Sequence, residues 1–254
     1  MSNEKDLGLS PQGIPVAQAI PLKGPLKMLA DHMTRSQQMY APLTITGAAD
    51  VTEFEAFRRQ LVAKVEKEAG VHISFTHLAV KILAQSLRQH PILNSTLTED
   101  KILILAEINV GIAAALESGF LIVPVIKGAD RKSIIEIARE GAEITERARQ
   151  NRLTLQDVTG GTFTLSNAGA LGIRRSSGIL EWSTPIITVP QSAILATGAI
   201  SEVPVAREGK VIVRAMLPTS LTVDHRVING IPAGQFIRTV NSLFEYPERI
   251  ELGI

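Results

Sequence analysis

The chain has 254 residues, with 26 basic side chains against 25 acidic ones, a formal net charge of +1 and no cysteine. Near-neutrality leaves no global field for nucleic acid or an anionic membrane, so neither is expected as a partner. The missing cysteine excludes a disulfide framework, a thiolate nucleophile and any cysteine-ligated zinc or iron–sulfur centre.

Residues 1–22 read as an arm or linker, punctuated by Ser10-Pro11, Gly13, Pro15 and Pro21, and residues 23–254 as the folded domain. Met1 to Ser10 is polar and lacks the apolar core of a signal peptide. Thr52-x-x-Glu55 has capping-box form, and Phe54, Phe57, Leu61 and Val65 follow at helical spacing until Gly70. A second helix starts at Ser74, carries Leu78, Ile82 and Leu87, and ends at His90-Pro91. Ile102–Ile126 is apolar and long enough for a bilayer. Glu107, Asn109, Glu117 and Ser118, with breaks at Gly111, Gly119 and Pro124, make it instead successive buried strands: Ile102–Leu105, Val110–Leu116 and Leu121–Ile126.

A third helix begins at Asp130 or Ser133, where Ser133-x-x-Glu136 is another capping box, and runs to about Arg149. Strand-like runs follow at Thr162–Ser166, Ile186–Val189 and Ala193–Thr197. Val203–Ala206 and Val211–Leu217 flank Glu208-Gly209 as a hairpin, and Thr219–Val223 is a further strand. A last helix carries Phe236, Val240, Leu243 and Phe244 before Pro247. No internal repeat is present. The pattern is that of an α/β or α+β domain, a mixed sheet with helices packed on it.

The segment Ser220–Gly230 delivers His225 from a strand into a polar cluster. A histidine is the usual general base near neutral pH, its reference pKa being about 6.5. Taken alone, such a histidine is more often a structural side chain at a strand end, hydrogen-bonded and inert. Its surroundings, Asp224-His225-Arg226-Val227-Ile228-Asn229-Gly230, resemble the His-x-x-x-Asp-Gly signature of the dihydrolipoamide acyltransferases of 2-oxo acid dehydrogenase complexes. Four more blocks resemble that family in the same order: Pro91–Ser95, Ile122–Val125, Gly160-Gly161-Thr162-Phe163-Thr164-Leu165-Ser166-Asn167, and Thr184–Leu195. The resemblance runs from about residue 20 to the C-terminus.

The resemblance implies a chloramphenicol acetyltransferase-like fold and acyl transfer between dihydrolipoamide and coenzyme A by direct thiol attack. His225 is then the base, Ser166 the hydroxyl donating to the tetrahedral oxyanion, and Asn229 the residue orienting its neighbours in place of the commoner aspartate. No Gly-x-Ser-x-Gly elbow surrounds Ser166, which argues against an acyl-serine. Arg58, Ser74 and Asn167 match coenzyme-channel positions, although each also reads as a helix charge, a cap and a turn residue. Ala115 stands where the family has aspartate, and the Gly119-to-Pro124 stretch holds an extra residue.

Coenzyme A is then a substrate, and the lipoyl group comes in trans or from a missing domain. Further implied partners are two more copies of the chain in a homotrimer with the site between neighbours, and a cubic or dodecahedral assembly of trimers. A lipoyl domain, a 2-oxo acid decarboxylase and a dihydrolipoamide dehydrogenase complete the set. Ile250, Leu252 and Ile254 serve either that assembly or ordinary terminal packing.

No metal is expected: His72 and His77 are five apart, the wrong spacing for His-Glu-x-x-His, and no third ligand is evident. Glu99-Asp100-Lys101-Ile102 reads as a turn rather than a lipoyl attachment site, and Arg174-Arg175 as a solvated pair. The expected compartment is the cytoplasm or an organelle matrix. A non-catalytic assembly scaffold and a coenzyme-dependent O-acyltransferase remain open alternatives, and Glu245-Tyr246-Pro247 is only a faint pointer to a branched-chain acyl group.

Overall fold

The structure, a computed structural model, describes residues 8–115, 121–150, 152–171 and 181–254. In chain order it contains α1 (Gly24–Met39), β1 (Pro42–Asp50), α2 (Thr52–Ala69), α3 (Phe75–Gln89), β2 (Ser95–Leu97) and β3 (Ile102–Ile104). Then come β4 (Val110–Ala115), β5 (Leu121–Ile122), β6 (Val125–Ile126), α4 (Ile134–Arg149), α5 (Leu155–Val158) and β7 (Phe163–Asn167). The series ends with β8 (Ala193–Thr197), β9 (Ser201–Arg207), β10 (Lys210–Asp224) and α6 (Gly230–Glu245).

The main sheet is mixed and runs β1–β10–β8–β7–β4–β5, with β6 on β4 and β9 on β10. Its centre, β4–β7–β8, is parallel, and β10 lies antiparallel to β8, β9 and β1. Alternation along the strands separates the two faces. Val110, Phe163, Leu165, Ala193, Leu195, Leu221 and Val223 belong to the buried core that the helices share. Phe54, Phe75 and Phe244 pin α2, α3 and α6 together, with centroids 5.2–5.8 Å apart. Each such pair adds about 0.5–1.5 kcal/mol beyond area burial.

Several expected elements form as read. Ser133 caps α4 in a reciprocal box with Glu136. The hairpin between β9 and β10 turns on Glu208 and Gly209, both at positive φ (50° and 75°), the backbone of a type I′ turn.

Other elements differ. The Thr52 box does not form, because Val51 is the N-cap residue of α2. The stronger acceptor is the Asp50 carboxylate, which takes both the Thr52 N–H (3.2 Å) and hydroxyl (2.8 Å). The strand expected over Ile102–Leu105 exists as β3 but is not buried: among the described residues it pairs with β2 alone, and its side chains are 42–57% exposed. Ile186–Val189 forms no strand; this segment is tied to its surroundings by side chains, Ser36 Oγ donating to the Ile187 carbonyl and Thr164 Oγ1 to Thr188 Oγ1. The two runs either side of Pro218 are one strand. Pro218 stands where pairing passes from β9 to β8, and only its carbonyl is needed, accepting from Gly198 N–H at 2.9 Å. Neither α1 nor β1 was expected. The Arg174-Arg175 pair and the start of the Gly119-to-Pro124 stretch lie outside the described residues.

Candidate active site

The face of the sheet opposite the core carries a row in register across five strands: Thr46, Ser220, Ala196, Ser166 and Ala113. Ser166, half-buried on β7, thus points away from the helices. The parallel arrangement of β4, β7 and β8 places Asn167 at a carboxyl edge, where sheets of this kind receive ligands.

His225 follows the last residue of β10 and is exposed, its backbone N–H held by the Ala41 carbonyl at 2.8 Å. Asp224 before it is wholly buried and anchors the turn. Its carboxylate accepts from Arg226 Nε (3.0 and 3.1 Å), Arg226 Nη2 (2.7 Å), the Arg226 backbone N–H (3.2 Å) and the Ala41 N–H (3.4 Å). Its carbonyl accepts from Val227 and Ile228, both at 2.9 Å. These bonds hold Arg226 protonated above its ordinary range. The guanidinium lies 5.9 Å from the centre of the Tyr40 ring, whose hydroxyl is pushed up to about 12 by burial and then by Asp224. Asn229 is the N-cap residue of α6, exposed, with a side chain that caps no helix donor. His225 and Asn229 therefore flank one turn and face solvent together.

Ser166 is not beside them. Extending the β10–β8 and β8–β7 registers puts His225 level with Gly161, two strands from Ser166 laterally and five residues from it lengthwise. At about 3.3 Å per residue and about 4.8 Å per strand, the two positions are about 19 Å apart within one chain.

Ser74 and Asn167 do meet. Both line a cavity of about 270 Å³ with Thr76, His77, Gly141 and Thr145 and an apolar wall that includes Ile112, Ile126 and Ile144. Asn167 Nδ2 donates to Thr76 Oγ1 (3.1 Å) and its Oδ1 accepts from Thr197 (3.3 Å), so the amide is fixed at the cavity edge. Arg58 is elsewhere, in a two-pronged pair with Glu55 at 3.1 and 3.0 Å. The side chain of Ala115 lies outside the described residues. His77 was missed as a cavity residue; the signal was its position three after Ser74, where a capping partner belongs. At the C-terminus Ile250 is buried and Leu252 packs on the core, while Ile254 is 58% exposed.

Comparison with known proteins gives this geometry its context. The chain is 35% identical over 236 residues to the dihydrolipoyllysine-residue acetyltransferase component of the acetoin cleaving system of Bacillus subtilis, covering 93% of this chain and 57% of that protein. It spans about half the length of the curated relatives it matches. Among solved structures, the cubic core of a pyruvate dehydrogenase multienzyme complex superposes with a TM-score of 0.84 at 34% identity, over 93% of this chain and 94% of that one. The dihydrolipoamide acetyltransferase of Azotobacter vinelandii, studied for the role of a serine, a histidine and an asparagine in its mechanism, gives 0.84 at 33% over the same shares. Chloramphenicol acetyltransferase shares the fold, at 0.51 and 16% identity over 89% of this chain and 99% of that one. The profile of the 2-oxoacid dehydrogenases acyltransferase (catalytic domain) matches residues 15–252, and the chain belongs to that family.

Proposed function

We propose that the chain transfers an acyl group between a dihydrolipoyl thiol and coenzyme A, at a site completed by a neighbouring copy in a homotrimer. The observation that carries this reading is the separation of about 19 Å between Ser166 and His225 along the strand registers of one chain. A base and an oxyanion donor serving one carbonyl must both lie within about 3 Å of reacting atoms. The same residues of one chain do not meet that requirement, and in this reading His225 and Asn229 of one copy would meet it with Ser166 of the next. The exposed apolar stretch Val211–Val213 of the β9–β10 hairpin supplies surface for such association.

In the reaction an imidazole nitrogen of His225 takes the proton from the attacking thiol. The thiolate adds to the thioester carbonyl carbon, and Ser166 Oγ–H donates to the oxyanion. Collapse breaks the old carbon–sulfur bond, and the departing thiolate takes the proton back from the imidazolium. The amide of Asn229 orients its neighbours without adding charge. Both sulfurs come from the substrates, which suits a chain with no cysteine.

The Azotobacter enzyme studied for a serine, a histidine and an asparagine supports the same three residue types here, and the cubic core of the pyruvate dehydrogenase complex supports a higher assembly of trimers. The lipoyl group would arrive on a lipoyl domain charged by a 2-oxo acid decarboxylase and be reoxidised by a dihydrolipoamide dehydrogenase, in the cytoplasm or an organelle matrix.

Acyl transfer between coenzyme A and dihydrolipoamide tests the reading. Wild type should be active, and His225→Ala should lose about 10²–10⁴ in rate. Transfer only to a hydroxyl acceptor would make the chain an O-acyltransferase instead. No transfer to any acceptor would leave an assembly scaffold.

A further inference from the structure

His77 closes the first turn of α3 with Ser74: Ser74 Oγ accepts from the His77 N–H and His77 Nδ1 accepts from the Ser74 N–H, both at 3.2 Å. A ring nitrogen that accepts is unprotonated, so the neutral ring carries its proton on Nε2. Burial, helped by His72, pushes the His77 pKa down to about 4, which keeps the ring neutral at physiological pH. Among the described residues Nε2 has no hydrogen-bond partner and is not a sealed buried atom, so it opens on the cavity that His77 lines. The room comes from Gly141 on α4, where a Cβ would stand 2.8 Å from Nε2.

Among the described residues, no ionisable side chain other than His77 lines this cavity; Ser74, Thr76, Thr145 and Asn167 share it with Ile112, Ile126 and Ile144. A phosphate or carboxylate would be buried there without a countercharge, which is costly. A neutral, partly apolar chain with one carbonyl acceptor fits both the walls and the free donor.

We propose that His77 is a specificity-determining residue whose Nε2–H hydrogen-bonds an amide carbonyl oxygen on the arm of a thiol substrate. The inference rests on the acyltransferase reading, in which both thiol substrates carry such an amide: the pantetheine arm of coenzyme A and dihydrolipoamide. Kinetics with each varied in turn tell them apart.

In His77→Asn the side-chain oxygen can replace Nδ1 and keep the bond from Ser74, but nothing reaches the place of Nε2. His77→Gln can extend an N–H towards it. His77→Asn should raise KM for one of the two substrates about tenfold, the mark of a lost ground-state hydrogen bond, with His77→Gln within about twofold of wild type. A raised KM for coenzyme A assigns the bond to pantetheine, and a raised KM for dihydrolipoamide assigns it to the lipoyl arm. Unchanged KM values for both overturn the proposal, as does a fall in kcat alone. If His77→Asn does not fold, Gly141→Ala, whose methyl crowds Nε2, must raise KM for one of the two substrates, and unchanged values for both there also overturn it. Calorimetric binding of coenzyme A and of dihydrolipoamide needs no turnover. An inactive wild type would therefore sink the acyltransferase reading, while equal Kd values in wild type and His77→Asn would sink this one.

Discussion

Replacing Asp224 by alanine should loosen the catalytic turn and the fold together. The buried carboxylate takes three side-chain contacts from Arg226 at 2.7–3.1 Å and two backbone N–H groups at 3.2 and 3.4 Å. Breaking a fully buried pair costs about 3–5 kcal/mol. Arg226 is 44% exposed and can turn to water, keeping part of its contact with Tyr40, so its share shrinks. The Ala41 and Arg226 N–H groups then dominate, and the total falls to about 2–3 kcal/mol. Asp224→Asn keeps an oxygen for those N–H groups and loses only the charge assistance, about 1–2 kcal/mol. His225 shares its anchor on Ala41 with Asp224, so kcat should fall about tenfold or more in the alanine variant as the imidazole loses its position. Urea unfolding at one fixed chain concentration, read beside kcat, measures both effects. Asp224→Ala within about 0.5 kcal/mol of wild type and with unchanged kcat would refute this reasoning.

Two further predictions concern the α3–α4 contact. Gly141→Ala should destabilise by about 1–3 kcal/mol despite the better helix propensity, because the added methyl meets the His77 ring at 2.8 Å. In a His77→Ala background the same change should instead stabilise by up to about 1 kcal/mol, and thermal melts of the four proteins check the reversal. The pKa of about 4 at His77 lies below its unfolded value of 6.5, so the unfolded chain binds more protons between the two. Stability from this group is therefore complete above about pH 6.5 and is lost as pH falls towards 4, by up to about 3 kcal/mol. His77→Asn should flatten that part of a stability-against-pH curve, and an unaltered slope would contradict the assignment.

What the sequence made legible is what short-range chemistry decides. The Ser133 box and the Glu208-Gly209 turn depend on a few neighbouring residues, and both form as read. Thr52 failed by the same logic at longer reach, since Asp50 is held by Arg207 and Arg214 across the fold and draws the hydroxyl away from its capping role. Whether Ile102–Ile104 is covered depends on which elements pack beside β3, and an apolar triplet carries no sign of that. α1 went unread because its buried face is thin, Ser36 alone among its described side chains being fully buried. For the site, the residue types at His225, Ser166 and Asn229 stood out as motifs. The distance between Ser166 and His225 is a property of sheet order, which only the registers of β7, β8 and β10 disclose.

Subunit mixing tests the shared site most directly. Ser166→Ala and His225→Ala chains, each inactive alone, are unfolded together and refolded as mixed trimers. If His225 of one copy works with Ser166 of the next, random assembly leaves about a quarter of the sites with both residues intact, and acyl transfer should recover to about that fraction of wild type. If each chain carried its own complete site, no mixture would hold an intact one. Activity staying at the level of the separate variants would contradict the account.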